Sequence, residues 1–134
     1  MSHSDGKTFI GNWVGGLMEG EGLFHDLIGN SYRGEWKNNK FNGKGIYNYS
    51  NGNVYEGEWE NGKPNGKGCY TALDGEKFEG RFLDGEFHGQ GILNFPDGSV
   101  YEGEWKQGQP WNIIGYNNDR EIIVKYAEGE GHLW

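Results

Sequence analysis

Over most of the chain, apolar residues come in one short alternating run: a large ring, a polar residue, a glycine, a polar residue and a second large ring. The clearest copy is Tyr55-Glu56-Gly57-Glu58-Trp59. A period of two marks a strand with unlike faces, so Tyr55, Gly57 and Trp59 point one way and Glu56 and Glu58 the other. The run begins at Phe9, Tyr32, Tyr55, Phe78 and Tyr101, always 23 residues apart. Other positions keep the same phase: Gly20, Gly43, Gly66 and Gly89 form one set, and Gly29, Gly52, Gly75 and Gly98 another. So do Gly22, Gly45, Gly68 and Gly91. Five matches at one period define a tandem repeat.

Each unit reads as a β-hairpin. Residues 61–66, with Pro64 among them, carry turn chemistry and are expected to form the loop, because proline has no N–H for a ladder. A second strand is expected from about Gly68 to Leu73. Asp74-Gly75, like Asn51-Gly52 and Asp97-Gly98, is then expected to make the tight, positive-φ turn into the next unit. No stretch repeats its apolar residues at 3.6. The expected fold is all-β, an elongated single-layer antiparallel meander of stacked hairpins. Two strands per unit give roughly 10 Å of sheet, and five units a ribbon on the order of 50 Å. Three parts are expected: an N-terminal segment 1–8, five tandem units over 9–110 with the fifth incomplete, and a divergent C-terminal cap and tail over 111–134. In the last part, Arg120 to Tyr126 reads as a strand outside the 23-residue phase, with Ile122, Val124 and Tyr126 covering the last hairpin.

Composition alone points elsewhere. Leu, Ile, Val and Phe make up 26 of 134 residues, and the net charge is −8, which together fall in the range of disordered chains. The aromatic content of 16% and the phased glycines argue for order instead. No run of 18 apolar residues is present, the N-terminus lacks a signal-peptide core, and Cys69 is the single cysteine. These features favour a cytoplasmic setting. The acidic balance disfavours nucleic acid and anionic headgroups.

Residues 55–68, Tyr-Glu-Gly-Glu-Trp-Glu-Asn-Gly-Lys-Pro-Asn-Gly-Lys-Gly, closely resemble the MORN (membrane occupation and recognition nexus) repeat, and the likeness extends over about 9–110. Departures are Met18-Glu19 in the first unit, Asn39 for the loop glycine in the second, Phe82 for Trp in the fourth, and the break after Pro110. Junctophilins, plant phosphatidylinositol-phosphate kinases, a histone-lysine methyltransferase and apicomplexan scaffold proteins carry such repeats. The resemblance implies a non-catalytic binding or scaffold module, with any catalysis in another domain. It implies protein–protein interaction or self-association, including a homodimer. The alternative is a peripheral membrane module for anionic phospholipids. The only lysine cluster, Lys37, Lys40, Lys44, Lys63 and Lys67, offers little for that.

The candidate partner-binding residues are Tyr32, Trp36, Tyr55, Trp59, Phe78, Phe82, Tyr101 and Trp105, preceded in the ladder by Phe9 and Trp13. Their first task is structural, burying one face; they are also expected to floor a groove for an extended partner. The other face carries Glu35, Glu56, Glu58, Glu79, Glu102 and Glu104, partly offset by Lys44, Lys67 and Arg81. That stripe reads as a solvated face, or as a site for a basic peptide or weakly held cation. No catalytic residues, cofactor or metal site are expected. His25 and His88 sit at different phases, and the Gly20-Glu21-Gly22 type of loop has no following helix to bind phosphate. The face assignment predicts that Gly57→Leu lowers the urea midpoint far more than Glu58→Leu; equal midpoints would contradict it.

Overall fold

The computed structural model describes residues 6–133, so most of the N-terminal segment, residues 1–5, and Trp134 lie outside the described residues. Twelve strands and no helix are found among the described residues. They are β1 (Thr8–Val14), β2 (Leu17–His25), β3 (Ser31–Lys37), β4 (Lys40–Asn48), β5 (Val54–Glu60) and β6 (Lys63–Thr71). There follow β7 (Lys77–Leu83), β8 (Glu86–Asn94), β9 (Val100–Lys106), β10 (Gln109–Tyr116), β11 (Ile122–Ala127) and β12 (Glu130–Leu133). Each pairs antiparallel with the next in one open sheet, in chain order. The expected single-layer meander is what the chain forms.

The two kinds of turn are exchanged relative to expectation. The two-residue turn lies inside the unit: Asn61 and Gly62 both have positive φ, 51° and 84°, as a type I′ hairpin requires. The second unit makes this turn with Asn38 and Asn39, without glycine. The amide of Asn39 donates to the Met18 carbonyl, and its side-chain oxygen accepts from the Met18 N–H at 2.7 Å. Those two bonds offset the strain of a left-handed asparagine. Between units the loop is longer: Ala72 N–H donates to Glu76 O, Gly75 N–H to Ala72 O, and the Asp74 carboxylate accepts from Glu76 N–H.

Pro64 was expected in a loop but belongs to β6, opposite Trp59. Glu60 and Lys63 close the hairpin, so Trp59 and Pro64 form a non-hydrogen-bonded pair and the proline nitrogen turns away from β5. There β6 outruns β7, and the Pro64 carbonyl accepts from Gly85 N–H in the next turn. Between Pro64 and Gly68 the strand bulges, Glu58 alone lying across from three residues. Gly66 takes φ 99° in that bulge.

The core lies on one face of the sheet, with no second layer among the described residues. Gly11, Gly22, Gly34, Gly45, Gly57, Gly68, Gly80, Gly91 and Gly103 sit side by side across the strands. The rings of the flanking rows fold down over this backbone. A Cβ on Gly68 would collide with the Tyr55 ring, and one on Gly57 would lie 2.5 Å from the Gly68 Cα. Tyr32, Tyr55 and Phe78 are buried completely or nearly so. The phenols of Tyr32 and Tyr55 donate to the carbonyls of Glu35 and Glu58, at 2.7 and 2.8 Å.

The C-terminal part is a continuation of the sheet. β10 spans the expected boundary at residue 110, and its bulge is one residue shorter, so Ile113 takes the place across from Gly103. β11 opens in phase, with Val124 located 23 residues after Tyr101, but its turn at Glu128-Gly129 comes 21 residues after Gln107-Gly108. Val124 is buried and Tyr126 packs against the core, whereas Ile122 stays exposed.

Burial, followed by the charge of Glu35 or Glu58, pushes the phenols of Tyr32 and Tyr55 far above their ordinary value of about 10. A group whose pKa is raised in the folded state adds stability below its unfolded pKa, and that contribution fades as pH rises beyond it. The urea midpoint should therefore hold steady between about pH 7 and 9 and fall above about pH 10, less steeply in Tyr32→Phe/Tyr55→Phe. An identical alkaline profile in that variant would contradict the assignment.

Candidate functional site

The aromatic face joins unit to unit. Tyr32 stacks on Phe41 at 3.8 Å and meets Trp59 of the next unit edge-on at 5.4 Å. Tyr55 meets Phe82 at 4.9 Å, and Phe78 meets Trp105 at 5.4 Å. The indole N–H of Trp59 donates to Gly45 O at 3.0 Å, and that of Trp105 to Gly91 O at 3.1 Å, each reaching back into the preceding unit. Among the described residues Trp36 Nε1 is buried without a partner, beside Met18, which stands where later units have Phe41, Pro64 and Phe87.

Seven of the eight residues expected to floor a groove are buried: Tyr32, Trp36, Tyr55, Trp59, Phe78, Phe82 and Trp105; Tyr101 is half-buried. Their burial shows the structural half of that expectation. The rings cover one another and the glycine row, so they form the core. What a partner meets on that side is an outer layer, including Tyr47, Tyr49 and Tyr70, packed at 4.6 and 6.1 Å along their series.

Among the described residues the opposite face has no covering element. Residues directly across from one another share a face, and register traces one row across the sheet. It runs Ile10, Leu23, Arg33, Ile46, Glu56, Cys69, Glu79, Ile92, Glu102, Ile114 and Lys125. The middle alternates aliphatic or thiol with carboxylate. Ile10 is 52% exposed and Ile92 40%. A groove of about 590 Å³ includes Arg33, Ile46, Glu56 and Lys67 in its lining, and a second of about 530 Å³ includes Glu79, Ile92, Glu102 and Ile114. Sequence reasoning missed the aliphatic members. A signal was present: Leu23, Ile46, Cys69 and Ile92 each follow the second glycine of Gly-x-Gly and are themselves 23 apart.

The carboxylates of this face divide by position. Glu58 accepts from the Lys67 N–H at 2.7 Å and Glu35 from the Lys44 N–H at 2.5 Å, tying down the bulge amides. Glu104 accepts from the Asn112 amide at 2.8 Å. Glu56, Glu79 and Glu102 lie in the aliphatic row; Glu79 pairs with Lys77 at 3.1 Å and Glu102 with Arg120 at 4.0 Å, both at the surface. Lys37 and Lys40 face each other at the end of β3 and β4, in a groove shared with Glu58 and Glu60. His88 accepts from Gln107 N–H through Nδ1 at 3.4 Å, where Asn42 does the same for Asn61.

A one-layer ribbon of stacked hairpins, each completing the ring packing of its neighbour, is a tandem-repeat module. The MORN repeat family model matches residues 9–30, 32–54, 55–77, 78–100 and 101–111, and the chain belongs to that family. Repeats of this kind are generally linked to binding or membrane association. No curated protein matches the chain at a significant level.

The unequal indoles predict unequal substitutions. Trp59→Phe abandons a buried indole hydrogen bond to Gly45 O, whereas Trp36→Phe removes an N–H that already lacks a partner among the described residues. Trp59→Phe should cost about 1 kcal/mol more in urea unfolding. Equal losses would remove the distinction.

Proposed function

We propose that this chain is a non-catalytic binding or scaffold module that holds a protein partner on its open sheet face and works in the cytoplasm. The observation that carries the reading is the row of exposed and half-buried aliphatic side chains, regular across the sheet and uncovered by any other element among the described residues. Exposed apolar surface arranged in this way is characteristic of interaction sites. Several polar residues of the kind catalysis recruits are engaged with backbone. Asp26 accepts from the amides of Ile28, Gly29 and Asn30, Asp97 from Ser99, and His88 from Gln107. For the phospholipid alternative, the one dense lysine patch shares its groove with Glu58 and Glu60. Self-association through this face would set Glu56, Glu79 and Glu102 of two copies against each other.

A photo-crosslinking residue at position 92 should capture a protein in extracts of the native host, while the same residue at Leu73, exposed in a loop, should not. Capture at 73 alone, or at neither, would overturn the reading. In vesicle sedimentation at about 150 mM salt, where charges are screened beyond roughly 8 Å, phosphatidylserine vesicles should leave the protein in the supernatant. Sub-micromolar sedimentation would make the membrane reading the better one.

A further inference from the structure

The open face specifies more than an apolar strip. From Ile46 to Ile114 it alternates at every strand: Glu56, Glu79 and Glu102 stand between Ile46, Cys69, Ile92 and Ile114. Among the described residues Glu56 has no ion pair, and those of Glu79 and Glu102 are solvent-exposed. A partner's cations can replace such pairs at small cost.

Spacing selects the backbone that fits. Neighbouring strands are about 4.8 Å apart, whereas same-face side chains of an extended peptide recur at about 6.7 Å. Over the six steps from Ile46 to Ile114 an extended peptide laid across the strands falls about 11 Å out of step. A helix presents a and d positions every 3.5 residues on average, about 5.2 Å, and drifts only about 3 Å over the same row.

Resting on the docking reading above, we infer that the open face binds a basic amphipathic helix lying along the ribbon axis. Its aliphatic side chains seat on Ile46, Cys69, Ile92 and Ile114, and its lysines or arginines on Glu56, Glu79 and Glu102. An acidic helix meets like charge at three successive rungs, and so do a second copy of this chain and an anionic bilayer.

The test uses the whole chain and two fluorescent helical peptides of about 21 residues, long enough to span the row. One carries Leu at a and Lys at d on an Ala/Gln background; the other replaces each Lys with Glu. The Lys peptide should bind at least tenfold tighter by anisotropy, and the preference should shrink with salt. Glu56→Gln/Glu79→Gln/Glu102→Gln should weaken it about tenfold, and Ile92→Glu should abolish binding. These surface changes should leave the urea midpoint near that of the parent. If a variant unfolds, the two peptides on the unaltered chain still decide. Equal affinities, binding of neither peptide, or a Gln variant that binds like the parent would overturn the helix proposal. Crosslinking at position 92 alongside such a result would leave the docking reading standing with a different partner; failure of both would remove both.

Discussion

Everything in this sheet depends on the near-contact of backbone across the glycine row. A side chain at Gly57 would strike Gly68, and one at Gly68 would strike the Tyr55 ring. With hydrogen there instead, rings from either side lie flat on their own sheet and shield it from water. A one-layer sheet has no facing layer to bury its apolar side, and this arrangement supplies one from the same strands. It also explains a stable core in a chain with so few aliphatic residues. Large rings bury much area per residue, and the glycines let the backbone itself serve as packing surface.

The bulge is the second half of the same construction. Glycine at positive φ lets β6 carry surplus residues past Trp59, and Glu58 holds a bulge amide. Some of the carboxylates are therefore structural, and the ones left over define the character of the open face. Glu56 and Glu58 are two residues apart, alike in sequence and both exposed, yet only Glu58 accepts a backbone hydrogen bond.

Period two and period 23 together made the strands, their faces and the ribbon legible before any coordinates, because each is a direct readout of backbone geometry. The turns were less so. Asn61-Gly62 and Asp74-Gly75 carry the same residue chemistry, and only the length of pairing on either side tells which closes tightly. Pro64 was misplaced because its missing donor matters only where a neighbouring strand would use it, and β6 extends past β7 there. The rings of the candidate groove were named correctly as a ladder, but their burial depends on how they cover one another, which a linear pattern does not contain. The aliphatic row was hidden for another reason. Each unit contributes one modest side chain, among them a cysteine, and only register lines them up.

The strands run across the long axis of the ribbon, so a pull along that axis loads each pair's ladder bonds together and the pairs one after another. The chain then behaves as links in series, and the ladders with the fewest paired residues, those of β10 with β11 and β11 with β12, are the links that give way first. Each further unit that opens releases 23 residues of slack, on the order of 75 Å when drawn straight. A ribbon of this kind lengthens stepwise under tension and keeps the remaining units folded while it does so.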